Sequence, residues 1–306
     1  MCFMFHATLT SFRSGLCTTF VLLFGCATGV ADETIVPVGI PYKRLAYLHN
    51  QQVNESSGLA CSRRTPGHFW THNDSGDEPR LFAFDRDGND QGEFAIKGAK
   101  ANDWEDMASF VLDGRACLLI ADVGDNLFRA GGYTLYLVEE PERLNRPGGN
   151  QQLILLQTSH FRYADGPQDC EAIAFDPTEK LCFLVAKTTK KQSNIYRLQW
   201  PLTSNSFESP VVAEKIATVN YPLVTAMDIT SDGRRAVLLT YGLAYEISRK
   251  PKETWNAAFA RPGRPLIMPF RRQGETICYG TNGRKLFLTS EKIPTPFFEV
   301  DTRSRH

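Results

Sequence analysis

The chain has 306 residues, 42% of them hydrophobic and 22% charged, an ordinary globular composition. Lys+Arg and Asp+Glu are equal at 34 each, so no global field favours nucleic acid or an anionic membrane, and any selectivity has to come from a local cluster. Length alone suggests one or two domains, and all-β domains often reach this size as one unit.

The first 31 residues have the pattern of an export signal. Arg13 precedes an apolar run from Leu16 to Cys26, and ATGVA follows, with Ala31 as the cleavage point before Asp32. The expectation is a signal peptide over 1–31, a periplasmic or extracellular location, and one domain over 32–306. A competing expectation comes from LFGC at Leu23 to Cys26, which resembles a bacterial lipoprotein box and would place a lipid anchor on Cys26. Phe24 stands there where a small residue is usual. No later window approaches 18 apolar residues, so no transmembrane span is expected in the mature chain.

After the leader the chain repeats itself. ESSGLA from Glu55, DWEDMA from Asp103, DCEAIA from Asp169, TAMDIT from Thr225 and QGETIC from Gln273 can be set beneath one another, with starts 48, 66, 56 and 48 residues apart. A turn follows each start (RRTPG, LDG, DPTEK, SDG, GTNG), rich in residues that reverse a chain. An apolar strand comes next (HFWTHND, CLLIADV, CFLVAKT, AVLLTYG, KLFLTSE), then a third strand and, in most units, a fourth. No strong 3.6-residue apolar stripe occurs after the leader.

Four antiparallel strands repeated about every 50 residues are the signature of a β-propeller. The last unit ends near Val300 with three strands, and YKRLAYLH, Tyr42 to His49, can supply the missing outer strand and close the ring. This scheme gives five blades, or six if Ala213 to Tyr221 or the stretch 255–270 holds a degenerate unit. A two-sheet sandwich also shows many short strands, but five matched motifs in register favour the propeller.

In a propeller the first strand of each blade lines the central channel, and residues two apart share a face. The first position of the repeated starts reads Glu55, Asp103, Asp169, Thr225 and Gln273; the third reads Ser57, Glu105, Glu171, Met227 and Glu275. Both sets are expected to face the channel, with Trp104 and Asp106 on the other side. DSGD (Asp74 to Asp77) and DVGD (Asp122 to Asp125) are expected in matching places after the second strand, where Lys187, and Glu291 with Lys292, fall in blades three and five. Carboxylates crowded on a narrow channel raise one another's pKa values unless something compensates. Lys187, Lys292, Arg80 or Arg129 could compensate as a structural network, or a hard cation such as Ca²⁺ could do so with oxygen ligands.

Asp85-Arg86-Asp87-Gly88-Asn89-Asp90 has the alternation of an EF-hand start, but Asp90 stands where Gly is required and Ile96 where Glu is. A DG turn explains it. GxSxG, Walker, GxGxxG and HExxH motifs are absent. His72, in THNDSGD, is the one histidine in a candidate site segment, as a general base beside Asp74; an ordinary strand-end histidine is the alternative. The tryptophans Trp70, Trp104, Trp200 and Trp255 are expected in packing. Of eight cysteines, Cys61, Cys117, Cys170, Cys182 and Cys278 lie after the leader, without a CxxC pair. Buried thiols are expected, with a Cys170–Cys182 bridge as the alternative.

The ESSGLA, DWEDMA and DCEAIA segments, with ADVGDN and TSDGRRAVLLTY, resemble exported bacterial propellers of the phytase-like and SdiA-regulated families over about Val53 to Val300. That resemblance implies a cation held by Asp103, Glu105, Asp169, Glu171 and Glu275, and either ligand binding or calcium-dependent hydrolysis of phosphate esters or lactones. Thr225 and Met227 depart from the acidic pattern. The expected function is thus an exported propeller binding a divalent cation, Ca²⁺ among them, or a small polar or anionic ligand at an acidic channel mouth. Lys187, Arg129, Asp122 and Lys292 would bind ligand. A metal-dependent hydrolase using His72 and Asp74, and an interaction scaffold without a ligand, are the alternatives.

Overall fold

Strands β1 (Val38–Gly39) and β2 (Tyr42–Tyr47) precede the first repeat in this computed structural model, which describes residues 38–144, 147–202 and 206–303. The expected export signal and Cys26 lie outside the described residues. The first unit comprises β3 (Ser56–Cys61), β4 (His68–Asn73), β5 (Arg80–Asp85) and β6 (Asp90–Ile96). The second comprises β7 (Trp104–Leu112), β8 (Arg115–Asp122), β9 (Tyr133–Glu139) and β10 (Asn150–Tyr163). In the third are β11 (Cys170–Asp176), β12 (Leu181–Ala186), β13 (Ser193–Gln199) and β14 (Val211–Val219). The fourth holds β15 (Val224–Ile229), β16 (Arg235–Thr240), β17 (Leu243–Ser248), the short helix α1 (Trp255–Phe259) and β18 (Arg264–Ile267). In the last, β19 (Cys278–Tyr279), β20 (Lys285–Leu288) and β21 (Pro296–Asp301) are completed by β2, antiparallel to β21 with Tyr42 opposite Val300.

Among the described residues the pairings divide β2–β21 into five four-stranded antiparallel units, and the fold is a β-propeller. The inner strands β3, β7, β11, β15 and β19 pack side by side, with β19 returning against β3. Each junction between units is filled by one apolar cluster, for example Trp70 and Phe94 against Trp104 and Tyr136, and Phe69 and Phe84 against Phe287 and Phe297. The middle strand LCFLVA (β12) is buried throughout, because both its faces meet a neighbouring unit. The outer strand β14 has one solvated face, and a bulge at Ile216 interrupts its alternation. The long outer strand β10 runs antiparallel to β9 and also pairs in parallel with β6 at its start and β14 at its end.

Four inner strands carry a β-bulge at one equivalent residue. The register skips Ser57 in β3, Glu105 in β7, Glu171 in β11 and Thr225 in β15. A bulge re-aims the extra side chain and breaks the strict alternation. Two expectations change as a result. In the fourth unit Thr225, not Met227, holds the third position; Met227 packs in the cluster between the third and fourth units. A two-residue slip preserves the in-out pattern of a strand, which is why the sequence allowed it. Asp106 does not face away from the channel wall, since its carboxylate accepts N–H bonds from inner strands of the next two units.

The Asp85–Asp90 segment is the expected turn: Asp85 accepts the Asp87 and Asn89 N–H groups, and Gly88 adopts φ +80°. The five described cysteines are buried free thiols, so Cys170 and Cys182 are not bridged.

Candidate functional site

One backbone contact recurs where the inner strands begin. The residue just past the second strand donates its N–H to the carbonyl of the first repeat position: Asp74 to Glu55 (2.9 Å), Val123 to Asp103 (3.1 Å), Lys187 to Asp169 (2.7 Å) and Glu291 to Gln273 (3.0 Å). Tyr241 follows β16 at the corresponding place. Side chains at these positions and at the bulges therefore converge at one end of the ring.

Two groups of carboxylates form there, and Asp74 belongs to both. Asp74, Asp103 and Glu105 place ligand oxygens within 4.8 Å of one another, as do Asp74, Glu275 and Glu291. Five acids from the last, first and second units thus form an arc. The third and fourth units supply its complement: Lys187 Nζ lies 2.8 Å from Glu171 Oε1 and 5.7 Å from the Tyr241 ring centre, and Tyr241 donates to Glu275 Oε1 at 2.7 Å.

Electrostatics follow from this crowding. Burial, then the neighbouring Asp74, Asp169 and other acids, push Asp103 up to about 6. Glu105 is raised well above the usual carboxylate range by burial and then by Glu171 and Asp74. Burial lifts Glu171 to about 7 against the pull of Lys187. Glu275 and Glu291 share a hydrogen bond, and burial together with that bond lifts Glu291 to about 8. Burial opposes ionisation of Glu275 as well, but the bonds from Glu291 and Tyr241 hold it below its ordinary value.

Glu105 is the exceptional member. It is only 3% exposed, yet among the described residues its carboxylate accepts no hydrogen bond and forms no ion pair, with its surroundings dominated by other acids. A buried ionised carboxylate without partners is costly. Gly124 backs the same pair: a Cβ there would stand 2.2 Å from Glu105 Oε1 and 2.3 Å from Asp103 Oδ2. The donor set is all oxygen and carboxylate, chemistry suited to a hard cation.

The other expected site residues are distributed differently. Asp169 accepts the Asp125 N–H through Oδ1 at 3.0 Å and belongs to neither acid group. Asp122 clamps the start of β7, accepting the Asp103 N–H at 2.8 Å and the Asn102 side chain at 2.7 Å. Its register partner in the first unit is Asn73, not Asp74, so DSGD and DVGD are offset by one residue. Arg129 is exposed on the loop after β8, Arg80 pairs with Asp77 and Glu93, and Lys292 bridges Glu55 and Glu291 at the rim. His72 is fully buried, with Nδ1 2.8 Å from the Asn73 carbonyl and its ring edge-on to Trp104. Burial lowers its pKa to about 4, and it joins neither acid group. Glu291 stands at the strand end where the alignment put it; Tyr241 and Gly124 enter the site through the same strand-end pattern, which the repeat alignment contained but the one-residue and two-residue offsets obscured. A cleft of about 480 Å³, lined among others by Phe128, Asp169 and Lys187, adjoins this end of the ring.

No family model matches the chain. Nor does any curated protein match it. Among solved structures the chain is similar to the Neurospora crassa Pan2 WD40 domain, at 6% identity and TM-score 0.43, covering 87% of this chain and 97% of that one. It is also similar to a chain of the nidogen/laminin complex, at 12% identity and TM-score 0.46, covering 78% and 73%. A third similarity is to Kuenenia stuttgartiensis hydrazine synthase, at 8% identity and TM-score 0.40, covering 81% and 72%. Likeness this distant carries no argument about function, and the fold rests on the strand pairings above. No helix among the described residues is long and apolar enough to cross a membrane.

Proposed function

We propose that this propeller is an exported protein that binds a divalent cation where its inner strands begin, through Asp74, Asp103 and Glu105. The observation that carries the reading is the Glu105 carboxylate, buried, without a hydrogen-bond or ion-pair partner among the described residues, and within ligand reach of two further acids. A hard cation would offset the like charges of three acids, which among the described residues feel Lys187 only at a distance, since its ion pair is with Glu171. Calcium fits an all-oxygen site, and export would place the protein where calcium modules of modest affinity operate. Lys187, at the edge of the adjoining cleft, is the group on which a small anionic ligand would rest.

A second reading, metal-assisted hydrolysis of a phosphate ester or lactone, is favoured by that cleft reaching Lys187, whose charge acts on Glu105 and Asp74. Its base would be a carboxylate of the cluster, since His72 is enclosed between units. The test common to both is thermal unfolding of metal-depleted protein with and without calcium. A native-state ligand has to raise the midpoint. An equal midpoint in millimolar calcium would sink both readings and leave an interaction scaffold. A rise that survives Glu105→Gln and Asp103→Asn would place the ion elsewhere.

A further inference from the structure

A second cluster, of opposite sign, lies on the last unit. Arg271 follows β18 in a connecting segment and is 8% exposed. Its Nη1 donates to the Pro269 carbonyl at 3.2 Å, and its buried Nε has no partner. No carboxylate forms an ion pair with it among the described residues. Backbone makes room for the group: a Cβ at Gly274 would stand 2.1 Å from Nε and 2.8 Å from Cζ. Burial without a counter-ion lowers even this guanidinium, to about 10.

Arg271 lines a cleft of about 210 Å³ together with Arg44, Arg272 and Lys292. Glu291 is the acid in this lining, and it is engaged with Glu275 and Lys292. At the lip stand Phe270, 87% exposed, and Ile293, about half exposed. A buried cation with no counter-ion is strongly disfavoured unless an anion joins it, and a planar guanidinium fork matches carboxylate and phosphate oxygens. The volume suits a head group, not a drug-sized molecule.

We propose that this cleft is an anion site in which Arg271 holds the oxyanion head of a phosphate ester or organic carboxylate, while the apolar body lies over Phe270 and Ile293. The cleft touches the acid arc at Glu291 but contains none of Asp74, Asp103 and Glu105, and its test needs no metal.

Thermal unfolding of the metal-depleted chain would be followed in inorganic phosphate, phenyl phosphate and benzoate, against chloride at equal ionic strength. Binding should raise the midpoint by about 2–4 °C at a tenfold excess over the dissociation constant. At equal concentration phenyl phosphate should exceed inorganic phosphate through the apolar shelf, and its ranking against benzoate identifies the head group. Arg271→Met should abolish the shift and, in chloride, leave the chain as stable as before or more so, because a buried unpaired charge has gone. Should that variant fold poorly, Gly274→Ala displaces the guanidinium while keeping its charge and should abolish the same shift. No shift with any of the three anions, or equal shifts in the unchanged chain and both variants, would overturn the proposal.

Discussion

The Asp106 carboxylate on β7 accepts the backbone N–H of Met227 on β15 at 3.2 Å, two units away around the ring. The same Oδ2 accepts the Ile173 N–H of the intervening unit at 2.9 Å, and Oδ1 accepts the Met107 N–H at 2.8 Å. One side chain thus satisfies buried donors on three inner strands, each two residues beyond a bulge. Asp228 repeats the device between the fourth and last units, accepting the Tyr279 N–H at 2.7 Å.

Asp106→Ala should therefore destabilise the chain by about 3 kcal/mol or more, because each orphaned buried donor costs roughly 1–3 kcal/mol. Asp106→Asn keeps one acceptor oxygen and should cost less. Urea unfolding midpoints of the two variants check this. Equal stability of Asp106→Ala and the unchanged chain would mean that the inner strands are held by their apolar junctions alone.

Gly124→Ala tests the acid group without altering its charge. The added methyl would meet Glu105 Oε1 and Asp103 Oδ2 well inside contact distance. Both carboxylates must then move, and calcium affinity should fall by roughly tenfold or more, as for other disturbances of the shell around a metal. Calorimetric titration with calcium is the measurement. Unchanged affinity would show that the ion, if bound, does not sit between Glu105 and Asp103.

Stability should depend on pH through the acids whose pKa is raised. Asp103 at about 6, Glu171 at about 7 and Glu291 at about 8 all bind a proton more tightly in the folded chain than in the unfolded one. Their favourable contribution is complete below about pH 4 and is lost as pH rises through the folded values. In metal-free buffer the melting midpoint should fall between pH 5 and 8. Calcium should flatten that slope and release protons on binding. A midpoint that rises over this window in the absence of metal would contradict the arrangement.

Lys187 and Glu171 form a pair in which each holds the other charged. Lys187→Met removes the only cation among the described residues within 4 Å of Glu171 and should destabilise by about 1–3 kcal/mol at pH 8, with a smaller effect at pH 5, where Glu171 takes up a proton. Adding Glu171→Gln should restore much of the loss. Chemical denaturation at the two pH values would reveal the coupling; additive losses would show that the two side chains do not depend on each other.

What the sequence by itself determined was the repeated unit and its class. Alternating strands, turn residues and five matching starts specify four-stranded antiparallel units, and YKRLAYLH was legible as the strand that completes the last one. The acidic character of Asp103, Glu105, Glu171 and Glu275 followed from the same alignment, because it depends on composition at matched positions. Tertiary structure alone decided which acids meet. A bulge re-aims Asp106, an undetectable two-residue slip moves Thr225 into the place assigned to Met227, and Asn73, not Asp74, matches Asp122. Asp74 consequently becomes the shared member of both acid groups, Asp169 leaves them, and His72 is enclosed beside Trp104. Alternation in a strand has a period of two and is blind to such shifts, whereas the approach of Glu105 to Asp74 or of Arg271 to the Gly274 backbone depends on how separate units close around the ring.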